Sequence, residues 1–223
     1  MPTPEPRKIA LKIDFVSDVV CPWCAIGLAS LETALQRLDS VVQAAVHVQP
    51  FQLNPDMAPE GEDIVEHLAH KYGLTAEQVR SNQAAIRQRG AEVGFAFSPE
   101  GRSRTWNTFD AHRLLHWAGL QGRELPLKHA LLAAYFTEGQ NVADHEVLLR
   151  KAAEVGLDVE AARAVLESDA HAGEVQERLD FYRSQGISSV PSIIINDRHL
   201  IQGGQPPEVF EQALRQLAAQ PAE

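Results

Sequence analysis

The sequence has few cysteines and no long hydrophobic runs. Its 223 residues include only two cysteines, Cys21 and Cys24, too few for the set of disulfides that stabilises small secreted domains. No stretch of about 18 consecutive apolar residues occurs, so the sequence predicts no membrane-spanning helix. The composition, 44% hydrophobic and 22% charged, is that of an ordinary globular protein and excludes disordered and collagen-like classes.

Positively charged residues are also scarce. The chain has 20 Lys and Arg residues against 30 Asp and Glu residues, for a formal net charge of -10. A negatively charged surface repels phosphate backbones and anionic lipids, so the sequence predicts neither a nucleic acid nor a membrane as a partner. Residues 1–20 interrupt their apolar stretch with Lys12, Asp14 and Asp18 and contain no small-residue cleavage site, so we expect the protein in the cytoplasm.

The N-terminal part of the chain predicts a β-α-β unit. Apolar and polar residues alternate from Ile9 to Val16, which is the pattern of a strand. Residues 41–51 are rich in Val and Ala and predict a second strand. Between these strands, leucines at three- and four-residue spacing predict the apolar face of a helix, namely Leu28, Leu31, Leu35 and Leu38.

The middle of the chain, from about residue 63 to 185, shows helical periodicity and no convincing strand. Asp144 and Asp158 stand where a side chain accepts hydrogen bonds from the first N–H groups of a helix. Gly156 and Gly186 stand just after predicted helices, where a left-handed backbone favours glycine. The sequence therefore predicts a helical insertion.

The strand pattern returns near the C-terminus. Residues 189–196 (SVPSIIIN) predict a strand, and a polar turn around Asn196 leads into a short strand through Leu200 and Ile201. A helix then begins with Pro207 at its first position. The predicted apolar stripe of this helix contains Val209, Phe210, Ala213, Leu214 and Leu217.

The sequence Cys-Pro-Trp-Cys lies between the first strand and the first helix. Unpaired N–H groups and the dipole at a helix N-terminus stabilise a thiolate, so we expect a lowered pKa for Cys21. Cys21 is therefore the predicted attacking sulfur, and Cys24, one turn further in and more buried, is predicted to resolve the mixed disulfide. Pro22 restricts the first turn. We expect Trp23 to cover the sulfurs on one side and to leave Cys21 accessible.

Two other interpretations of the cysteine pair remain open. A Cys-x-x-Cys pair is also half of a zinc site, and His112 with His116, one helical turn apart, could complete the ligand set. Cysteine is among the most frequently buried residues, so both thiols could simply fill the core. The pair opens a long helix after a hydrophobic strand, and this context favours redox chemistry.

Several segments together define a family resemblance. Cys-Pro-Trp-Cys is followed by FQLNP, NTFDAHRLLHWA and YFTEG, and the C-terminal part contains SVPSIII and GGQPPEVF. From about Lys8 to Leu217, the chain resembles the DsbA-like thioredoxin superfamily, in particular its FrnE-type cytoplasmic members. The resemblance implies an α/β protein with a thioredoxin fold and a large all-helical domain inserted between its β-α-β and β-β-α halves. The halves are expected at residues 8–60 and 186–219, and the insertion at residues 61–185.

The resemblance also implies a substrate-binding surface beside the cysteines. Val190 and Pro191 take the place of the cis-proline loop of the family, which leaves the Val190 backbone free to pair with an extended substrate segment. Pro22, Trp23 and His112 are expected to contribute to this surface. His112 has a second interpretation, as a residue at the polar margin of its helix.

The family implies protein or small-molecule thiols and disulfides as substrates, with glutathione as the redox partner. Neither a metal nor a tightly bound cofactor is expected, and the protein is expected to be a monomer or a homodimer. The run from Arg102 to Arg104 could bind a carboxylate such as that of glutathione, or form a solvated loop. The DsbA group that oxidises exported proteins typically has a histidine between its cysteines, where this chain has the uncharged Trp23. We therefore expect a reduction potential of roughly −200 to −230 mV rather than about −120 mV.

The sequence supports one function and leaves two alternatives. The first function is thiol-disulfide exchange. The alternative is a glutathione-dependent isomerase or transferase, because the chain is similar to 2-hydroxychromene-2-carboxylate isomerases and kappa-class glutathione transferases, which usually have a serine at the position of Cys21. This chain keeps both cysteines, which favours exchange. A helical unit that only binds unfolded protein is a third option, and nothing in the sequence requires it.

Overall fold

The computed structural model describes residues 8–100 and 102–219. The strands are Ile9–Ser17 (β1), Val42–Pro50 (β2), Glu62–Asp63 (β3), Arg104–Thr105 (β4), Ser192–Ile195 (β5) and His199–Gln202 (β6). The helices are Pro22–Arg37 (α1), Ile64–Tyr72 (α2), Ala76–Glu92 (α3), Phe109–Leu120 (α4), Glu124–Phe136 (α5), His145–Glu154 (α6), Val159–Leu166 (α7), Ala172–Ser184 (α8) and Pro207–Ala218 (α9). In the described part of the chain, no helix is long and apolar enough to cross a membrane.

Four strands form one mixed sheet in the order β2-β1-β5-β6. β1 and β2 are parallel, a pairing that needs a crossover connection, and α1 supplies it. β5 runs antiparallel to β1, and β6 runs antiparallel to β5. Phe15 of β1 stands between Val48 of β2 and Ile193 of β5. The predicted α/β fold is therefore confirmed, with a β-α-β half before the insertion and a β-β-α half after it.

The C-terminal half agrees with the sequence pattern except at one residue. Asn196 and Asp197 have positive φ values of 52° and 57°, as the tight turn of a hairpin requires. α9 begins at Pro207, and its Phe210 is fully buried. The placement of Val209 in the apolar stripe is wrong, because this residue is 41% exposed. It lies about 100° around the helix from Phe210, outside the buried face.

The insertion is mostly helical, from α2 to α8. Asp144 and Asp158 each accept a hydrogen bond from an N–H group of the helix that follows, which confirms both N-caps. Gly156 and Gly186 have φ values of 78° and 82°, as predicted. The expectation of an insertion without strands is wrong, because β3 and β4 pair in an antiparallel manner. Strands of two residues are too short to show the alternation that identifies a strand in a sequence.

One hydrophobic core extends from the sheet into the insertion. Ile13 of β1, Leu28 of α1 and Leu131 of α5 are fully buried members of the same cluster. Cys21 and Cys24 belong to this cluster as well. α3 and α5 of the insertion therefore pack directly against α1, the helix that carries the two cysteines.

Candidate active site

β1 and α1 place the cysteine pair at the start of a helix. β1 ends at Ser17 and α1 begins at Pro22, so Cys21 takes the N-cap position. Pro22 at the first helical position presets the backbone angle that the helix needs. The Cys24 N–H donates a hydrogen bond of 3.0 Å to the Cys21 carbonyl oxygen and closes the first turn. Both cysteines are free thiols.

The two thiols differ in exposure and in pKa. Cys24 is fully buried, and Cys21, with 4% of its surface exposed, is less accessible than the sequence led us to expect. A hydrogen bond from the Cys24 thiol lowers the pKa of Cys21, against the opposing effect of burial. Burial, the same hydrogen bond and the negative charge of the Cys21 thiolate raise the pKa of Cys24 well above its ordinary value. The pair is therefore asymmetric, with the lower pKa at Cys21.

The loop before β5 lies against Cys21. The Val190–Pro191 peptide bond is cis, as the resemblance implies. The Cys21 sulfur lies 3.5 Å from the Val190 carbonyl oxygen. The Val190 N–H has no hydrogen-bond partner among the residues that the structure describes. The loop can therefore offer a backbone donor to an extended segment whose sulfur lies beside Cys21.

Two glycines allow α1 to approach the loop before β5 and the loop after β6 closely. A Cβ atom at Gly27 would lie 2.9 Å from Pro191 Cγ, and one at Gly204 would lie 2.9 Å from the Trp23 carbonyl oxygen. Trp23 is 41% exposed, and its ring lies 3.4 Å from the same Cβ position of Gly204. The structure thus places Trp23 against the loop after β6. That the Trp23 side chain covers the two sulfurs on one side remains a prediction.

Asp18 and His112 form a buried polar contact near the cysteines. The two side chains meet at 3.3 Å and are almost fully buried. Asp18 also accepts hydrogen bonds from the N–H groups of Val19 at 2.7 Å and Leu53 at 2.8 Å. Burial opposes ionisation of Asp18, but the bonds from His112 and Leu53 and the positive charge of Lys128 hold its pKa below the ordinary value. Asp18 is therefore a buried carboxylate with several partners.

Lys128 of α5 is a buried amine without such partners. It is fully buried, and its Nζ atom has no hydrogen-bond partner in the described part of the chain. Burial lowers the pKa of Lys128, and the negative charges of Cys24 and Asp18 partly offset this effect. In return, the positive charge of Lys128 lowers the pKa of Cys24. Lys128 thus favours the thiolate form of the sulfur that is predicted to resolve.

The sequence analysis missed Lys128 and the role of Asp18. One signal was available, since Lys128 lies on the same buried face of α5 as Leu127 and Leu131. Charged residues are almost never fully buried unless they are paired, so a lysine on an apolar face indicates a special role. Arg102 was predicted either to bind a carboxylate or to lie in a solvated loop, yet its charge also lowers the pKa of Cys21.

The two histidines of α4 have different surroundings. His112 is 2% exposed, so its placement at a polar helix margin is wrong, because the Asp18 carboxylate gives it a partner in the core. His116 lies beside His171, with ring centroids 5.2 Å apart. In the part of the chain that the structure describes, no group of three or more His, Cys, Asp or Glu side chains could hold a metal ion. The two histidines therefore do not complete a zinc site with the cysteines.

The chain is similar to several known proteins. Residues 12–215 match the DSBA-like thioredoxin domain family. A probable DsbA oxidoreductase from Streptomyces coelicolor is 33% identical, with a TM-score of 0.89 over 96% of this chain and 92% of that one. The uncharacterized protein YwbO of Bacillus subtilis (strain 168) is 28% identical over 207 residues, which are 92% of this chain and 96% of that protein. A 2-hydroxychromene-2-carboxylate isomerase has a TM-score of 0.72 at 14% identity, over 92% of this chain and 95% of that one.

The fold and the site together define a class of protein. A thioredoxin fold with a helical insertion, a Cys-x-x-Cys pair at the start of α1 and a cis proline beside it is the arrangement that the DsbA-like resemblance implies. The chain belongs to the DSBA-like thioredoxin domain family. The resemblance inferred from the sequence is confirmed. At 14% identity, the likeness to the isomerase shows the fold alone.

Proposed function

We propose that this protein is a thiol-disulfide oxidoreductase in which Cys21 attacks and Cys24 resolves. The observation that carries this proposal is the placement of the pair: Cys21 takes the N-cap position of α1, where the helix N-terminus favours a thiolate, and Cys24 lies one turn further in and fully buried. The opposite directions of the two pKa shifts agree with these roles. The attacking sulfur must be a thiolate, and the resolving sulfur must keep its proton until a mixed disulfide exists. The position of Cys21 beside the Val190 carbonyl supports the same roles.

The proposed reaction consists of two exchanges. The Cys21 thiolate attacks a substrate disulfide, forms a mixed disulfide and releases one substrate sulfur as a thiolate. Cys24 loses its proton and attacks the Cys21 sulfur, which forms the Cys21–Cys24 disulfide and releases the second substrate sulfur. The substrate gains two electrons, the protein dithiol loses two, and the released thiolates take up protons. The reverse sequence oxidises a substrate dithiol.

The buried charges near the pair support the second step. The charge of the Cys21 thiolate is one cause of the raised pKa of Cys24, and it disappears when Cys21 enters a mixed disulfide. The positive charge of Lys128 remains and favours the Cys24 thiolate. The pKa of Cys24 therefore falls at the stage of the reaction at which its thiolate is needed.

The direction of the reaction depends on the compartment and on the partner. We propose glutathione as the partner, with two glutathione molecules reducing the protein disulfide and leaving as glutathione disulfide. In the cytoplasm, where we expect the protein, the glutathione pool keeps most dithiols reduced. Reduction or isomerisation of substrate disulfides is then the favoured direction.

A redox titration tests the proposal. The protein is equilibrated in glutathione buffers of different ratios, free thiols are alkylated, and the mass counts the modified cysteines. We expect a cooperative change between two and zero free thiols, at a potential of roughly −200 to −230 mV. Cys21→Ser should abolish mixed disulfides, and Cys24→Ser should accumulate them. A pair that stays reduced in every buffer would overturn the proposal.

The glutathione-dependent isomerase or transferase is the second candidate, because the fold is shared with such an isomerase. In that function one side chain at the position of Cys21 activates glutathione, and Cys24 has no role. Cys24→Ser separates the candidates: disulfide exchange turnover should collapse, whereas a glutathione-conjugating activity should largely survive. The buried and hydrogen-bonded position of Cys24 favours the oxidoreductase.

A further inference from the structure

A small cavity opens beside the N-terminus of α1. It is an open cleft with a volume of about 20 Å³, room for about one water-sized group, and includes Pro22, the residue that follows Cys21, in its lining. α3 and α5 contribute further lining residues, among them Arg87 and Phe136. We call this cavity the Arg87 pocket. Pro22 lines the pocket, and Arg102, which also lines it, donates a hydrogen bond to the Val20 carbonyl, so the pocket lies beside the segment that carries Cys21.

The Arg87 pocket contains two positively charged side chains. The Arg102 Nη1 atom donates a hydrogen bond of 2.9 Å to the Val20 carbonyl oxygen, and its guanidinium lies 5.9 Å from the centre of the Phe136 ring. Arg87 is half-buried and has no hydrogen bond or ion pair with the residues that the structure describes. Arg102 is therefore held in place, and Arg87 has all its donors available for a ligand.

The other walls of the pocket strengthen its preference for an anion. Phe97 and Phe136 pack edge to face with ring centroids 5.1 Å apart, and Ile86 adds an aliphatic surface. Such walls exclude water and strengthen a charge-assisted hydrogen bond. Among the described residues that line the pocket, none is an Asp or Glu. This local composition contrasts with the net charge of -10 of the whole chain.

We propose that the Arg87 pocket binds the carboxylate of an Asp or Glu side chain that lies close to the reactive cysteine of a protein substrate. This inference rests on the proposed function. It adds that the protein favours substrates with an acidic side chain near the reactive cysteine. Val190 and Pro191 do not line the pocket, so the loop and the pocket are two separate contacts near Cys21. An extended segment can use both, with its backbone at Val190 and one acidic side chain in the pocket.

Matched peptide disulfides test the proposal. Each contains one cysteine and either Glu or Gln at one of the three positions on either side of it, and kcat/KM for reduction by the wild-type protein is measured. We expect one position at which the Glu peptide reacts about tenfold faster than the Gln peptide, as one charge-assisted hydrogen bond implies. Added salt should reduce this preference, because it screens the exposed part of the interaction.

Two variants on α3 locate the effect. Arg87→Gln should lower the ratio between the Glu and Gln peptides several-fold, since it removes the charged donor that is free to bind a ligand, whereas Arg102 remains hydrogen-bonded to Val20. Arg80→Gln removes an exposed arginine from the same helix and should leave the ratio unchanged. A preference that is undiminished in Arg87→Gln would overturn the proposal. Equal rates for the Glu and Gln peptides at every position would overturn it as well.

Further measurements separate this inference from the function on which it rests. If the cysteines exchange in glutathione buffers but the Glu and Gln peptides react at equal rates, the proposed role of the Arg87 pocket is wrong and the proposed oxidoreductase function stands. Cysteines that do not exchange at all would refute both. Turnover of glutathione disulfide shows whether its carboxylates use the same pocket. If Arg87→Gln slows that turnover while the peptides show no preference, the pocket serves glutathione and the proposed acidic side chain is wrong.

Discussion

The Asp18 carboxylate and the His112 imidazole form a 3.3 Å hydrogen bond inside the protein. Their side chains are 0% and 1% exposed. A buried carboxylate needs partners, and this one has two backbone donors in addition to His112. The contact joins the segment before Cys21 to α4 of the insertion. It therefore ties the residues that lead into Cys21 to the helical insertion.

The first prediction concerns Asp18→Asn. We expect this change to lower the free energy of unfolding by about 3 kcal/mol at neutral pH, because it breaks a buried charged contact. The pKa of Asp18 is below its ordinary value in the folded protein, so its contribution is present above the unfolded pKa of about 3.9 and is lost as the pH falls through the folded pKa. The difference between wild type and variant should therefore shrink in acid.

Urea unfolding of the reduced proteins at several pH values measures this difference. Asp39→Asn is the control, because Asp39 is 80% exposed and pairs with Lys8 on the surface. We expect this control to change the free energy of unfolding by less than about 0.5 kcal/mol. A difference between Asp18→Asn and wild type that stays constant into acid would contradict the assigned role of the carboxylate.

The second prediction concerns Lys128→Met. The Lys128 amine is buried without a hydrogen bond, so an apolar side chain of similar length should raise the free energy of unfolding by about 1–3 kcal/mol. The same change should slow the attack of Cys24 on a mixed disulfide, because it removes a charge that lowers the pKa of Cys24. Urea unfolding measures the first effect. Rapid mixing of the reduced protein with a chromogenic disulfide measures the second.

Lys151→Met is the matched control for this pair of effects. Lys151 is also buried, but its amine contacts Glu138 at 2.8 Å and Glu154 at 3.1 Å. We therefore expect Lys151→Met to bring no gain in stability and no change in the rate of exchange. If Lys128→Met also brought no gain in the free energy of unfolding, the Lys128 amine would have a partner in solution, as the Lys151 amine does.

Local sequence patterns predicted the strand and the helix that hold the cysteines. They did not predict the effect of Lys128 on Cys24, because this effect depends on tertiary packing. The strand from Ile9 and the helix with Cys21 at its start were predictable because periodicity and cap residues act within a few positions. Lys128 influences Cys24 only because α5 packs near α1, a relationship between residues far apart in the chain. No pattern within either helix contains that information.

The role of Asp18 also could not be predicted from the sequence. Its position before Cys21 was visible in the sequence, and it was interpreted as a charge that interrupts an apolar stretch. Its role depends on His112, which lies on a helix of the insertion and reaches Asp18 only in the folded chain. The sequence predicted which sulfurs react, whereas the charges that shift the pKa values of these sulfurs depend on the packing of the insertion.

The third prediction concerns the hydrogen bond between the two thiols. Cys24→Ala removes the donor that lowers the pKa of Cys21, so the pKa of Cys21 should rise. Cys24→Ser keeps a hydroxyl donor and should raise it less. The rate of alkylation of Cys21 as a function of pH gives both values. An equal pKa in the two variants would show that the Cys24 side chain does not stabilise the thiolate.

The fourth prediction concerns the close approach of Gly27 to Pro191. A Cβ atom at Gly27 would lie 2.9 Å from Pro191 Cγ and 3.3 Å from the Cα atom of Gly204. Gly27→Ala should therefore lower the free energy of unfolding by about 1–3 kcal/mol, because one side must shift. The shift also moves the Val190 carbonyl relative to the Cys21 sulfur, so disulfide exchange should slow.

Gly173→Ala separates packing from the general effect of alanine in a helix. Gly173 lies in α8, and a Cβ atom there would meet no atom within 4 Å beyond its chain neighbours and the backbone of its own helix. We expect a gain of up to about 1 kcal/mol, since alanine favours the helix over glycine. Urea unfolding and the exchange rate are measured for both variants. Only Gly27→Ala should lose stability and activity together, because only its new methyl group meets the loop that faces Cys21.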